Sequence, residues 1–357
     1  MSVRASTLFA ALFAISAGAV AAQEFRLTYP QTVLGEVVEV QFGEKVADPY
    51  RWLENDVRTD PAVAQWVGQQ NAVTQGYLAA LPQRGWFGTR IKELMDYERF
   101  GLPQKAGANY FYMRNSGLQN QSQLFVRKGL NGAPRLLIDP NAWARDGATA
   151  LADWVPSDNG KLLAYAIQDG GSDWRVIKLM DVSKGTVLKD EIKWAKFTNI
   201  AWVGNEGFLY SRFTEPKEGA AFQQLNFNQT VYFHKIGTPQ SADVAVYATP
   251  DKPEYGHSAE VTHDGKWALI TTAEGTDEKY ELHIIPLGKR PNWKAEPLVK
   301  GLDHEWQLID GMGSKLWFVT NKDAPKLKVV SVDVAAKNRV FTDIVPERAE
   351  TLSRAQV

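Results

Sequence analysis

A tight turn followed at once by a strongly apolar strand recurs along this chain at intervals of about 50 residues, and this narrows the possible folds more than any other feature. The turns fall at Gly107, Asn159-Gly160, Asn205-Glu206-Gly207, Asp264-Gly265 and Gly313-Ser314. The strands that follow begin at Tyr110, Leu162, Phe208, Trp267 and Leu316. Each interval also holds a strand-like run before the turn and two more after polar breaks, while helix signals nearly vanish beyond Tyr97. A repeating unit four strands long points to propeller blades; a β-sandwich also spaces its strands regularly, but its repeat is a hairpin. The predicted fold class is therefore mainly β, a β-propeller of which about five blades can be counted over residues 91–357.

The chain ahead of the repeats has a different character. Arg4, the apolar run from Leu8 to Ile15 and the small residues Ala19 to Ala22 read as a signal peptide over residues 1–22, too short in its apolar part to span a bilayer. This predicts a periplasmic or secreted protein whose mature chain begins at Ala22 or Gln23. An extended stretch from Phe25 to Val46 follows, then a turn at Asp48-Pro49. Asp60 reads as a helix N-cap with Pro61 at the first helical position. Val63, Trp66, Val67, Val73, Tyr77, Leu78 and Leu81 then recur at helical spacing up to Pro82, predicting one amphipathic helix in an arm over residues 23–90. Gly68 and Gly76 weaken it by about 1 kcal/mol each, so it needs a surface to dock on.

Composition excludes several partners. Among 357 residues, 40 Lys and Arg nearly balance 41 Asp and Glu without a long run of one sign, so no footprint for nucleic acid or an anionic membrane is present. There is no cysteine, so an exported chain would rest on packing alone.

Three stretches, Lys45-Val46-Ala47-Asp48-Pro49-Tyr50-Arg51-Trp52-Leu53-Glu54, Asn115-Ser116-Gly117-Leu118-Gln119-Asn120-Gln121-Ser122 and Gly171-Ser172-Asp173-Trp174, resemble the prolyl oligopeptidases in order and spacing. That resemblance runs from about Tyr29 to the end. It implies a seven-bladed propeller over an α/β-hydrolase peptidase domain, with the N-terminal arm packing on the hydrolase domain and the run from Glu305 to about Arg348 as the fifth blade. It implies a serine endopeptidase that cuts short proline-containing oligopeptides after proline, with the propeller filtering substrates by size and no cofactor. It also assigns roles: Phe197 aligns with a phenylalanine closing the far wall of the substrate pocket, though a blade-core aromatic would fit the same pattern. Asp173, beside Trp174, aligns with an acidic residue that bonds across to the hydrolase domain, though a simple β-turn would also account for it. Ala273 stands where many members carry an arginine that grips the peptide.

The chemistry itself is not found in these residues. The nucleophile elbow G-x-S-x-G does not occur; Gly256-His257-Ser258-Ala259-Glu260 comes nearest, with Glu260 in place of the second glycine and Ser258 opening an apparent inner strand. The triad is expected beyond Val357, in the C-terminal half, and the chain alone is expected to be inactive. His257 and His263 could share a strand face but lack a third ligand at metal-site spacing, and they read as turn or surface histidines. Gly311-x-Gly313 reads as a β-turn, not a nucleotide loop, and the clusters Glu215 to Glu218 and Asp343 to Glu350 as solvated loops. A non-catalytic propeller that binds peptides or proteins is the competing reading; an arm built to dock on a hydrolase domain argues against it.

Overall fold

A computed structural model describes residues 27–217, 221, 224–288 and 293–356. The proposed signal peptide lies outside the described residues. Two compact units divide between Arg84 and Gly85, so the expected arm boundary after residue 90 falls inside the second unit.

In the first unit the expected extended stretch folds back on itself. Val38–Gln41 and Glu44–Ala47 pair antiparallel around Phe42 and Gly43, both at positive φ, as a tight hairpin turn requires. Arg51 then gathers the Asp-Pro turn: its guanidinium reaches Asp48 at 2.6 Å and Glu39 at 2.8 Å. Helix α1, Pro61–Ala79, begins as predicted, with the Asp60 carboxylate accepting from the amides of Ala62 at 2.8 Å and Val63 at 3.3 Å. Val63, Trp66, Val67, Val73, Tyr77 and Leu78 form its less exposed stripe.

A second helix, α2, Arg84–Met95, begins at the boundary and has no counterpart among the sequence expectations. Its pattern is weak because Gly85 and Gly88 lie in its first turns and no capping residue announces it. Beyond it, five antiparallel units follow in order among the described residues, four of them four-stranded and the first five-stranded, because Arg99–Phe100 and Gln104–Ala106 both pair with Asn109–Asn115. Their inner strands are Gln104–Ala106, Ala150–Pro156, Ala201–Val203, Tyr255–Val261 and Trp306–Met312. Blades two and three join into one eight-stranded sheet through the single pair Ala195 and Arg212.

Strand alternation decides how the blades stack. In the second strand of blade two, Leu163 and Tyr165 pack with Phe111, Leu124 and Val126 of blade one, while Ala164 and Ala166 pack with Trp202, Phe208 and Tyr210 of blade three. Leu209 turns the other way, toward Ala259, Ala268 and Ile270 of blade four, whose Leu269 meets Trp306, Leu316 and Phe318 of blade five. The sheets of blades two to four are thus buried on both faces, so their central strands read as continuous apolar runs with no polar alternation. Gly107 and Gly160 show how closely the turns approach. A Cβ on Gly107 would meet the backbone of Asn159, and one on Gly160 the backbone of Ala106, with both glycines at positive φ.

Candidate functional site

Two open cavities lie among the inner strands. One, of 820 Å³, is lined by the late residues of these strands, among them Pro156, Trp202 and Val261. The other, of 620 Å³, takes earlier residues, including Thr198, Ser258 and Trp306, and Phe197 lines it.

Phe197 sits on a strained corner. It lies between the outermost strand of blade two, Thr186–Ala195, and the inner strand of blade three, and both Trp194 (φ 61°) and Phe197 (φ 50°) adopt left-handed backbone. Its ring is 54% exposed, which takes it out of the blade core. Three contacts over-determine the corner. The Gln229 amide donates to the carbonyls of Lys196 at 2.9 Å and Phe197 at 3.2 Å. The Thr198 hydroxyl accepts from the Ser211 amide at 2.7 Å. The Lys196 ammonium lies over the rings of Trp174 at 4.9 Å and Phe197 at 5.1 Å.

Trp174 is half-buried, edge-on to Trp194 and Phe213, and donates its indole N–H to the Ala221 carbonyl at 2.7 Å. Asp173 is exposed on the bend before it, and among the described residues its carboxylate has no hydrogen bond or ion pair. The structure therefore brings Trp174, Lys196 and Phe197 together and leaves Asp173 outward.

Ser258 lies within the inner strand of blade four, paired with Thr271, and lines the smaller cavity; among the described residues its hydroxyl makes no hydrogen bond. Its neighbour His257 corrects the sequence expectation: it is a core residue, 2% exposed, with its ring nitrogens 3.0 Å from Thr272 Oγ1 and 3.1 Å from Thr249 Oγ1. Burial pushes its pKa down to about 4. His263 stands exposed on its turn. Ala273 pairs with Gly256 across the same sheet.

Sequence reasoning missed three groups. Gln229 is 2% exposed, and its side-chain carbonyl accepts from the His257 amide at 2.5 Å. Arg175 lines the smaller cavity and donates to the Thr198 carbonyl at 3.1 Å. Glu260 lines both cavities, and its burial raises its pKa above the usual carboxylate range. A charged residue between Ala259 and Val261, in an otherwise unremarkable strand pattern, was the available signal for the last.

The family model described as the prolyl oligopeptidase N-terminal beta-propeller domain matches residues 30–357. The prolyl endopeptidase of Elizabethkingia miricola is 34% identical over 347 residues, covering 97% of this chain and 48% of the relative. Prolyl oligopeptidase A of Amanita bisporigera is 31% identical, covering 90% of this chain and 44% of the relative. A chain solved in a study of two prolyl endopeptidases and their inter-domain dynamics shares 48% identity at a TM-score of 0.69, covering 92% of this chain and 47% of that one. Prolyl oligopeptidase B of Galerina marginata, bound to a 35mer hydrolysis and macrocyclization substrate, shares 26% identity at a TM-score of 0.78, over 92% of this chain and 49% of that one. The chain spans about half the length of the curated relatives it matches.

Proposed function

Because the chain belongs to the prolyl oligopeptidase family of serine peptidases and carries its N-terminal propeller, we propose that the whole protein is an exported endopeptidase cleaving short peptides after proline. In this reading the propeller channel admits oligopeptides, excludes folded proteins, and presents Phe197 to the bound peptide as one wall of the substrate pocket.

The observation that carries this reading is Phe197 itself. An aromatic ring 54% exposed, held at positive φ by a buried glutamine and lining a 620 Å³ cavity, contributes little to the core. Such strain persists where surrounding contacts enforce it, and it clusters at binding sites. Asp173, exposed and without a partner among the described residues, is available to bond a second domain, with Trp174 bracing the bend that carries it. The hydrolase domain that supplies the serine, aspartate and histidine is the partner this reading requires.

In the whole protein, Phe197→Ala raises KM or alters selectivity while leaving the unfolding midpoint unchanged. Normal kinetics with a large loss of stability would show that the ring serves packing instead. Export rests on the basic, apolar and small-residue pattern from Arg4 to Ala22. Mass spectrometry of protein recovered from an exporting host should find Ala22 or Gln23 at the N-terminus, and an intact Met1 or Ser2 would remove the periplasmic or secreted assignment.

A further inference from the structure

The two cavities between the inner strands share two lining residues, Asn199 and Glu260. Asn199 is already committed: its side-chain N–H donates to the Ala259 carbonyl at 2.7 Å and its side-chain carbonyl accepts from the Ala259 amide at 3.3 Å, tying blade three to blade four. Glu260 carries no such task. Among the described residues its carboxylate accepts no hydrogen bond and forms no ion pair, although it lies half-buried in the middle of the channel.

The surrounding charges sharpen the point. Arg175 is the other charged residue lining the smaller cavity, and it is bonded to Thr198 and makes no ion pair with Glu260. Lys105, Asp158 and His263 line the larger cavity on the other side. A carboxylate held away from bulk water with its lone pairs unused gains most from a ligand that brings both positive charge and several N–H donors. A primary ammonium group does this with three donors, and an acidic group at the same place is repelled.

We propose that Glu260 forms a subsite for the primary ammonium group of a peptide in the propeller channel, either its free N-terminus or a lysine side chain. The channel thereby selects for charge as well as for size. Phe197 and Tyr280, which line the smaller cavity, supply apolar surface for the residues that follow the ammonium. The inference rests on the reading of this channel as a peptide passage.

Titration calorimetry on the full chain tests it with three octapeptides of otherwise equal sequence: one with a free N-terminus, one N-acetylated, and one N-acetylated with an internal lysine. The free-amine peptide should bind about tenfold more tightly than the acetylated one, as expected for a charge-assisted hydrogen bond. The lysine peptide shows whether a side chain can substitute for the terminus: recovered affinity assigns the subsite to any primary ammonium, and none restricts it to the N-terminus. Glu260→Gln, with folding checked by circular dichroism, should bring all three to one affinity. If that variant does not fold, methylammonium gives the answer in the unmodified chain, where it should compete with the free-amine peptide and leave the acetylated one unaffected. Equal binding of all peptides by the unmodified chain, or a preference that survives Glu260→Gln or is untouched by methylammonium, overturns the ammonium subsite alone. Binding of no peptide by the folded chain overturns the peptide-passage reading along with it.

Discussion

Gln229 holds Phe197 in its left-handed conformation from within the core: its amide N–H reaches the Phe197 carbonyl at 3.2 Å, and its own carbonyl is fixed by the His257 amide at 2.5 Å. An exposed aromatic at the channel is thereby coupled to a buried residue of the next blade. Gln229→Ala leaves the two carbonyls and the His257 amide without this partner and should cost about 2 kcal/mol. Denaturant melts of the full chain measure this, and a loss below about 0.5 kcal/mol would show that the corner is held by its other contacts.

His234 predicts an alkaline limb of stability. It is fully buried, with its ring nitrogens 2.7 Å from Asp243 and 3.1 Å from Asp190, and Tyr210 donates to Asp243 at 2.7 Å. Burial alone would lower its pKa, but the bonds and charges of Asp243 and Asp190 outweigh that and raise it. A folded-state pKa above the unfolded value contributes stability that is complete below the unfolded pKa and is lost as pH rises through the folded one. The unfolding midpoint should therefore fall as pH climbs above about 6.5. His234→Gln should flatten that slope, and an unchanged slope would assign the alkaline loss elsewhere.

His257 gives the opposite limb. Its pKa is lowered to about 4 by burial, so the unfolded chain binds the proton first and stability drains as pH falls from about 6.5 toward 4. Melts across that window, compared with His257→Gln, should show a shallower acid slope in the variant.

Trp174 braces its loop through both packing and a hydrogen bond, and two substitutions separate these. Trp174→Phe keeps a ring against Trp194 and Phe213 and loses the bond to Ala221, a cost of about 1 kcal/mol. Trp174→Ala loses both and should cost about 3 kcal/mol. Equal losses would mean that the ring contacts contribute nothing.

Helix α2 exposes Trp86, Phe87, Ile91, Leu94 and Met95, between 45% and 65% of each. With such a contiguous apolar face, the full chain should bind a hydrophobic dye and tend to aggregate. Trp86→Ser combined with Ile91→Ser should reduce the dye signal while shifting stability by less than about 0.5 kcal/mol. Since the chain contains no G-x-S-x-G elbow, it should by itself leave a chromogenic glycyl-prolyl substrate uncleaved. Serine-inhibitor-sensitive turnover by homogeneous protein would contradict this.

Much of the fold is legible in the order of residues alone. The turn-and-strand recurrence yields the five blades because β-branched and aromatic runs, bounded by glycine turns, have few ways to bury both faces. Asp60 and Pro61 mark the start of α1 because capping is local chemistry, settled within four residues. By contrast, α2 escapes detection because its glycines dilute the local signal.

The candidate site was legible only in part. The sequence by itself determined the blade count, the α1 cap and the apolar run along each central strand, since all three depend on neighbours close along the chain. The tertiary structure decided which blade each alternate side chain meets, that Gln229 clamps Phe197 from 32 residues away, and that His257 is buried while Glu260 faces the channel without a partner among the described residues. A side chain's environment at such positions is set by strands distant in sequence, and local propensity carries no information about them.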